Sequence, residues 1–241
     1  MPLPPALRRF KDWTRHIRRA HLTLPLWWRN RWSTQSIRKA NGPVVSLTTY
    51  GRRLDSVYMT IESIAVGQVL PCRMILWLDD EQRFNARPVA LRRLEARGLE
   101  VRLSENFGPH TKYYPYVAQA QANGPPLVTA DDDMLYPRDW LAALVHAYAA
   151  NPHLIHCWRA RVLQLASQGL QPYASWAYCR SGKASPWHIA EGVSGVIYPA
   201  AFQMQLRAAG TAFKACCPRA DDLWLNVQAL RAGMPVQQIS A

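Results

Sequence analysis

The stretch LVTADDDMLYP, residues 127–137, runs an apolar segment straight into three consecutive aspartates and then resumes with Met134, Leu135 and Tyr136. Its opening residues have the short, β-branched character of a buried strand. Adjacent carboxylates repel, and they are costly to hold near a core unless positive charge lies among them. The stretch therefore predicts a strand whose carboxyl end opens onto a charged site.

Upstream of it, strands and helices alternate. GPVVSLTTY opens after Gly42-Pro43 as a strand, and LDSVYMTIESIAVGQ carries Leu54, Val57, Ile61 and Ile64 at helical spacing. CRMILWLDD reads as a second strand, PVALRRLEARG as a helix closed by Gly98, and LEVRLSE as a third strand. HTKYYPYVAQAQANG is helical in part before the fourth strand, PPLVTADDD. This order predicts an α/β fold, a single mostly parallel sheet flanked by helices. Ligands of such a sheet gather beyond the carboxyl ends of its strands. Thr48, Thr49 and Tyr50 end the first strand, Asp79 and Asp80 the second, and Asp131, Asp132 and Asp133 the fourth. Carboxylates converging on one sheet edge point to a divalent cation, and hard oxygen ligands with room for phosphates favour Mg²⁺ or Mn²⁺ over zinc.

Downstream, EGVSGVIYPAAF sets Gly192 and Gly195 around a compact turn before an apolar strand, where small residues let backbone approach a ligand. Nearby Trp187 is either core packing or a stacking surface. DWLAALVHAYAANP begins a helix with Asp139 near its positive end. ADDLWLNVQALRAG begins another with Asp221 and Asp222, acids that either cap it or do chemistry.

The 241 residues, 49% of them hydrophobic, suffice for one sizeable core. The net charge of +13 is unevenly placed: residues 1–42 hold ten Lys/Arg against the single Asp12, or +9. Leu7, Phe10, Trp13 or Thr14, and Ile17 recur there at helical spacing, and Trp27, Trp28 and Trp32 follow among Arg29 and Arg31. This basic amphipathic extension, ahead of a domain over residues 43–241, suits an anionic membrane surface, where indoles sit half-buried and guanidinium groups meet phosphate. Packing on its own domain is the other reading. No nucleic-acid motif accompanies the charge, so no nucleic-acid partner is expected. No apolar run approaches the roughly 20 residues of a spanning helix, and no signal-peptide core is present. The expected location is the cytosol or the inner face of the membrane. Five cysteines with no C-x-x-C pair suggest neither a disulfide framework nor a zinc site.

Taken in order, VSLTTYGRR, ILWLDD, NFGPHTKYYP, VTADDDMLYP, GVSGVIYP and ADDLWLNVQALRAG resemble the metal-dependent glycosyltransferases of the Rossmann-like glycosyltransferase A fold, especially bacterial enzymes similar to family two. The likeness covers roughly residues 43–240, nearly everything after the basic extension. It implies transfer of a sugar, with inversion, from a nucleoside-diphosphate donor to a glycan or lipid-linked acceptor. It also implies Mn²⁺ or Mg²⁺ as cofactor, and a place in cell-envelope polysaccharide or lipopolysaccharide synthesis.

By this resemblance Thr48, Thr49 and Asp79 hold the nucleotide, with Arg52 close to the phosphates and Asp80 the alternative to Asp79. Lys112 follows a glycine turn and is implied to pair with the donor diphosphate, while His110 in the same loop is expected to be solvated. Asp131 is implied to face the ribose and the waters of the metal, and Asp133 to be the most direct metal ligand. Asp132 points to the other face by the two-residue period of a strand, as a neighbour or second ligand. The segment holding Gly195 is implied to line the sugar and acceptor pocket. Asp222 is implied to be the base that takes the acceptor hydroxyl proton, with Asp221 beside it. The metal and its diphosphate would then be the counter-charges of the aspartates.

Two departures stand out. Asp221-Asp222 replaces the commoner Glu-Asp, and many relatives continue past Ala241, so the acceptor site is either small or completed by a partner or membrane. A sugar-phosphate nucleotidyltransferase would use a similar sheet and metal, but with a glycine-rich phosphate loop that LTTYGRRLDS lacks. A non-catalytic membrane-surface binding protein is the alternative outside the enzymes.

Overall fold

The computed structural model describes residues 23–167 and 169–239. Strands β1 (Val44–Thr48), β2 (Arg73–Leu78), β3 (Leu99–Leu103), β4 (Leu127–Thr129) and β5 (Ile155–Cys157) build most of the main sheet. Two small antiparallel pairs follow, β6 (Ala160–Val162) with β9 (His188–Ala190) and β7 (Leu165–Ala166) with β8 (Gly169–Leu170). β10 (Val196–Tyr198) and β11 (Val236–Gln238) return to the main sheet, whose seven strands lie in the order β11-β5-β10-β4-β1-β2-β3. All neighbours pair in parallel except β10, which runs antiparallel to both β4 and β5. The mostly parallel α/β sheet expected from the alternation is therefore the observed one.

The helices are α1 (residues 23–32), α2 (Val57–Ala65), α3 (Glu81–Asn85), α4 (Val89–Glu95), α5 (Tyr114–Val117), α6 (Trp140–Ala150), α7 (Ala200–Ala209), α8 (Phe213–Cys216) and α9 (Asp221–Arg231). A strand covered on both faces must be apolar at consecutive positions, and Val44, Val45 and Leu47 are fully buried together. Ile61, Leu91, Leu94, Leu141 and Leu144 from α2, α4 and α6 pack with Leu47 and Leu76 on one face. Phe202, Leu206, Phe213, Trp224 and Leu225 from α7, α8 and α9 pack with Val44 and Ile75 on the other. No helix among the described residues is long and apolar enough to cross a membrane.

From β1 the chain steps outward through β2 to β3, then crosses back to lay β4 on the opposite side of β1. That reversal leaves a crevice beyond the carboxyl ends of β1, β2 and β4, the place where ligands of open α/β sheets bind.

Helix α1, assigned by charge to the extension, packs on this core. Its Asn30 side chain donates to Glu62 Oε1 at 3.2 Å and to the Ala90 carbonyl at 3.1 Å. Arg97 forms a short paired contact with the same fully buried Glu62, and Arg29 lies 3.3 Å from it. Ile37 is wholly buried in the core cluster, and its N–H donates to the Arg97 carbonyl. The amphipathic helix expected over Leu7–Ile17 lies outside the described residues.

Candidate active site

The crevice holds a cavity of about 610 Å³ lined by Thr48, Asp79, Lys112, Asp131, Asp132, Asp133, Asp221 and Asp222, with Tyr50, Arg53 and Arg219 among its other walls. At its centre the Lys112 ammonium is 2.9 Å from Asp131 Oδ1 and 2.9 Å from Asp221 Oδ2. Burial alone would drive a lysine toward neutrality, but the three surrounding acids, Asp221, Asp131 and Asp222, raise its pKa well above the usual range. Lys112 is thus a fixed cation. Its position comes from β1: the Ser46 hydroxyl donates to the Lys112 carbonyl at 2.7 Å and accepts from Trp77 Nε1 at 2.9 Å. Ser46 is a polar residue inside an apolar strand, a pattern that does not by itself tell what the hydroxyl holds.

The three aspartates diverge. Asp132 is buried, accepting from the Thr49 hydroxyl at 2.6 Å and from Arg53 Nη1 at 2.9 Å. Asp133 is half exposed and lies 3.2 Å from Arg53 Nη2. Asp131 turns the opposite way, to Lys112. The turn is held by α2, whose Thr60 hydroxyl donates to the Asp132 carbonyl and whose Ser63 hydroxyl accepts from the Tyr136 N–H, and by Tyr136, whose hydroxyl accepts from the Asp131 N–H. Lys112 and Arg53 are the protein's own charges beside these aspartates.

Several expected residues fall elsewhere. Arg52 is exposed and does not line the cavity; Arg53, one position on, does. Thr48 reaches the cavity and donates to the Trp77 carbonyl, whereas Thr49 is buried behind Asp132. Asp79 lines the cavity, while Asp80 caps α3 by accepting from the Arg83 N–H at 2.9 Å. His110, expected to be solvated, is fully buried; its ring stacks on Phe213 and its Nε2 lies 2.8 Å from the Cys217 carbonyl. It pins the Lys112 loop to α8. Trp187 is exposed and lines no described cavity.

The two glycines of EGVSGVIYP have separate uses. Gly192 donates its N–H to Asp222 Oδ1 at 3.0 Å, and a Cβ there would meet that oxygen at 2.8 Å and Lys112 Nζ at 3.1 Å. Gly195, with φ +95°, lies against the Trp140 indole, 2.5 Å from where its Cβ would be, and outside the acidic cavity. Trp140 Nε1 in turn donates to the Ser194 carbonyl at 2.7 Å.

Asp221 and Asp222 share the first turn of α9 but not their surroundings. Asp221 pairs with Lys112. Asp222 is pushed up to about 7, first by burial and then by the like charge of Asp221, with Lys112 and the Gly192 N–H acting against the rise. Two acids set apart in this way can divide a proton-transfer role and a charge-holding role.

A second cavity of about 460 Å³ adjoins the first. Met134 and Ser194 line it where their neighbours Asp133 and Val193 line the first, and Tyr136, Trp140, Trp158 and Tyr178 supply aromatic walls. Among the described residues no three carboxylate, imidazole or thiol side chains gather closely enough to hold a metal ion by themselves.

No family model matches the chain, and no curated protein does. Solved structures similar to it include the mannosyltransferase PcManGT from Pyrobaculum calidifontis, in complex with GDP-Man and Mn²⁺, at 17% identity and a TM-score of 0.47 over 77% of this chain and 54% of that one. S. aureus TarS matches at 13% identity and a TM-score of 0.49, over 83% of this chain and 59% of its own. The chain thus spans little more than half the length of those two. The 4-diphosphocytidyl-2C-methyl-D-erythritol synthase of Anaerococcus prevotii matches at 10% identity with a TM-score of 0.51, over 82% of this chain and 86% of that one. At such identity the likeness to the synthase is one of fold.

Proposed function

We propose that the chain is a glycosyltransferase that takes a sugar from a nucleoside-diphosphate donor. The observation that carries this is the gathering in one crevice of a first group, Asp79, Asp131 and Asp133, and a second, Asp221 and Asp222, with Lys112 paired to one acid of each. The first group suits a nucleotide and its phosphates; the second suits a hydroxyl nucleophile.

The residues fit a divalent cation. Mg²⁺ and Mn²⁺ are commonly held by one or two carboxylates with substrate phosphates and water completing the shell, so a closed protein cage is not required. Asp131 and Asp133 both line the cavity, with side chains 27% and 50% exposed. When bound, the cation would neutralise the donor diphosphate as it leaves. Lys112 stands ready to pair with the same phosphates, and Arg53 holds Asp132 and Asp133 in place.

Asp222 removes the proton of the acceptor hydroxyl. Its raised pKa makes it a better base than an ordinary aspartate, and Gly192 orients one carboxylate oxygen. The acceptor, a glycan or lipid-linked sugar, enters across the aromatic walls of the second cavity, where ring faces can stack on sugar C–H surfaces. Displacement assisted by one base inverts the anomeric centre. This reading places the protein in cell-envelope polysaccharide or lipopolysaccharide synthesis, in the cytoplasm or against the inner face of the membrane.

The fold-level likeness to 4-diphosphocytidyl-2C-methyl-D-erythritol synthase supports a second reading, nucleotidyl transfer to a sugar phosphate. Products separate the two. A panel of nucleotide sugars with Mn²⁺ is expected to release nucleoside diphosphate, and Asp133→Ala to abolish Mn²⁺-dependent nucleotide binding in a thermal-shift assay. Pyrophosphate release from nucleoside triphosphate and sugar phosphate would establish the second reading. Undiminished Mn²⁺-dependent binding in the variant would remove Asp133 from the metal site.

A further inference from the structure

Helix α1 shows two unlike faces. Leu26 is buried, and Arg29 and Asn30 turn inward, tied to Glu62 and to the Ala65 and Ala90 carbonyls. Leu24, Trp27, Trp28, Arg31 and Trp32 fall at the complementary i, i+3, i+4, i+7, i+8 positions of a 3.6-residue period, so they share the outer face. All five are exposed, Trp32 to 66%. The indoles are organised: Trp27 meets Trp28 edge to face at 5.1 Å, Trp28 stacks on Trp32 at 6.4 Å, and the Arg31 guanidinium lies 5.0 Å over the Trp32 ring. A patch of three indoles and a leucine left in water marks an interaction surface.

We propose that this outer face of α1 docks the protein on an anionic lipid surface, with the indoles at the headgroup–acyl boundary and Arg31 on lipid phosphate. Two observations select a membrane over a protein groove. Indoles with guanidinium among them match the layered polarity of that boundary, apolar below and anionic above. Residues 1–42 carry +9, which complements an anionic leaflet over a range set by the Debye length. The buried Glu62–Arg97–Asn30 contacts make the platform part of the domain, so docking fixes how the whole domain sits on the surface. This proposal does not depend on the catalytic reading, since vesicle binding and nucleotide binding are measured separately.

The test is co-sedimentation of the full-length chain with phosphatidylcholine vesicles with and without phosphatidylglycerol, beside quenching of tryptophan emission by brominated acyl chains. The wild-type chain is expected to sediment with the anionic vesicles and to be quenched. Trp27→Ala/Trp28→Ala/Trp32→Ala should lower partitioning by roughly tenfold or more and remove most quenching, because apolar area at the interface is lost while charge is kept. The three side chains are exposed, so the variant should keep its melting temperature, and a single Trp32→Ala serves if the triple variant does not fold. Partitioning of the variants equal to wild type would overturn the proposal, as would binding carried wholly by residues 1–22 in a truncation series. Loss of a dimer in the variants, without any vesicle binding by the wild type, would assign the face to a second copy instead.

Discussion

Lys112 shows how single residues decide what this crevice can do. Six acids line a cavity beside it, and an ammonium with a raised pKa stands between Asp131 and Asp221. Removing one partner of a buried ionic cluster leaves uncompensated charge, so Lys112→Met should destabilise the metal-free protein by roughly 3 kcal/mol or more in urea unfolding. Partial rescue by Mn²⁺ is expected, since a cation can occupy the same field; a variant as stable as wild type would mean that the acids are already protonated or solvated. Asp222 gives a second residue-scale prediction. Its folded pKa of about 7 lies above the unfolded 3.8, so the folded state holds its proton over a window in which the unfolded chain has lost it. Its stabilising effect is full below about pH 4 and is lost as pH rises toward 7. Relative to Asp222→Asn, wild-type stability should therefore decline through that window, and parallel pH curves for the two proteins would contradict the assigned environment. In catalysis Asp222→Asn should keep donor binding and lower turnover by roughly 10²-fold. Asp221→Asn should be distinguishable, because it loosens Lys112 first.

At the scale of elements, the turn Gly192–Ser194 joins the two cavities, and its flanking glycines answer to different neighbours. Gly195→Ala must place a methyl group into the Trp140 indole at positive φ, a strain expected to cost about 1–3 kcal/mol of stability. Gly192→Ala presses on Asp222 and Lys112, whose side-chain ends can give. It should cost less stability and more activity, and calorimetry beside a turnover assay would show the split; equal effects in both measurements would make the turn a simple packing element. This contrast also explains what was legible in the sequence. Strands β1–β4 and β10 and helices α2, α4, α6 and α9 could be read because burial on both faces or one face imposes a period on consecutive residues, whereas β5–β9 and β11, two or three residues each, are too short to show one. The acidic strand ends could be read because like charges at adjacent positions demand a cause. The supports could not: Ser46, Thr60 and Ser63 act through partners tens of residues away, and a hydroxyl in an apolar run looks the same whether it holds a catalytic loop or nothing. Arg52 and Arg53 are adjacent and chemically identical in sequence, so only the direction of the 3₁₀ turn Gly51–Asp55 separates them.

For the whole molecule, charge alone places a boundary near residue 42, because the basic bias ends there. Packing draws the line differently for the described part of that segment. Leu26, Asn30 and Ile37 are buried, Asn30 satisfies Glu62, and the Lys39 N–H donates to the Pro71 carbonyl. Composition is averaged over a segment, whereas burial is a property of each residue; a chain can be basic on its outer face and structural on its inner one, as α1 is. The consequence is a truncation experiment. Deleting residues 1–42 removes Ile37 from the core cluster and strips Asn30 and Arg29 from the fully buried Glu62, leaving that carboxylate with Arg97 as its remaining cation. Ile37→Ala alone should cost about 2–5 kcal/mol through the cavity it leaves. Each kcal/mol lowers the melting temperature of a domain this size by roughly 2–4 °C, so the deletion should melt well below both the full chain and the single variant. A domain of residues 43–241 as stable as the full chain would show that α1 rests on the core without contributing to it.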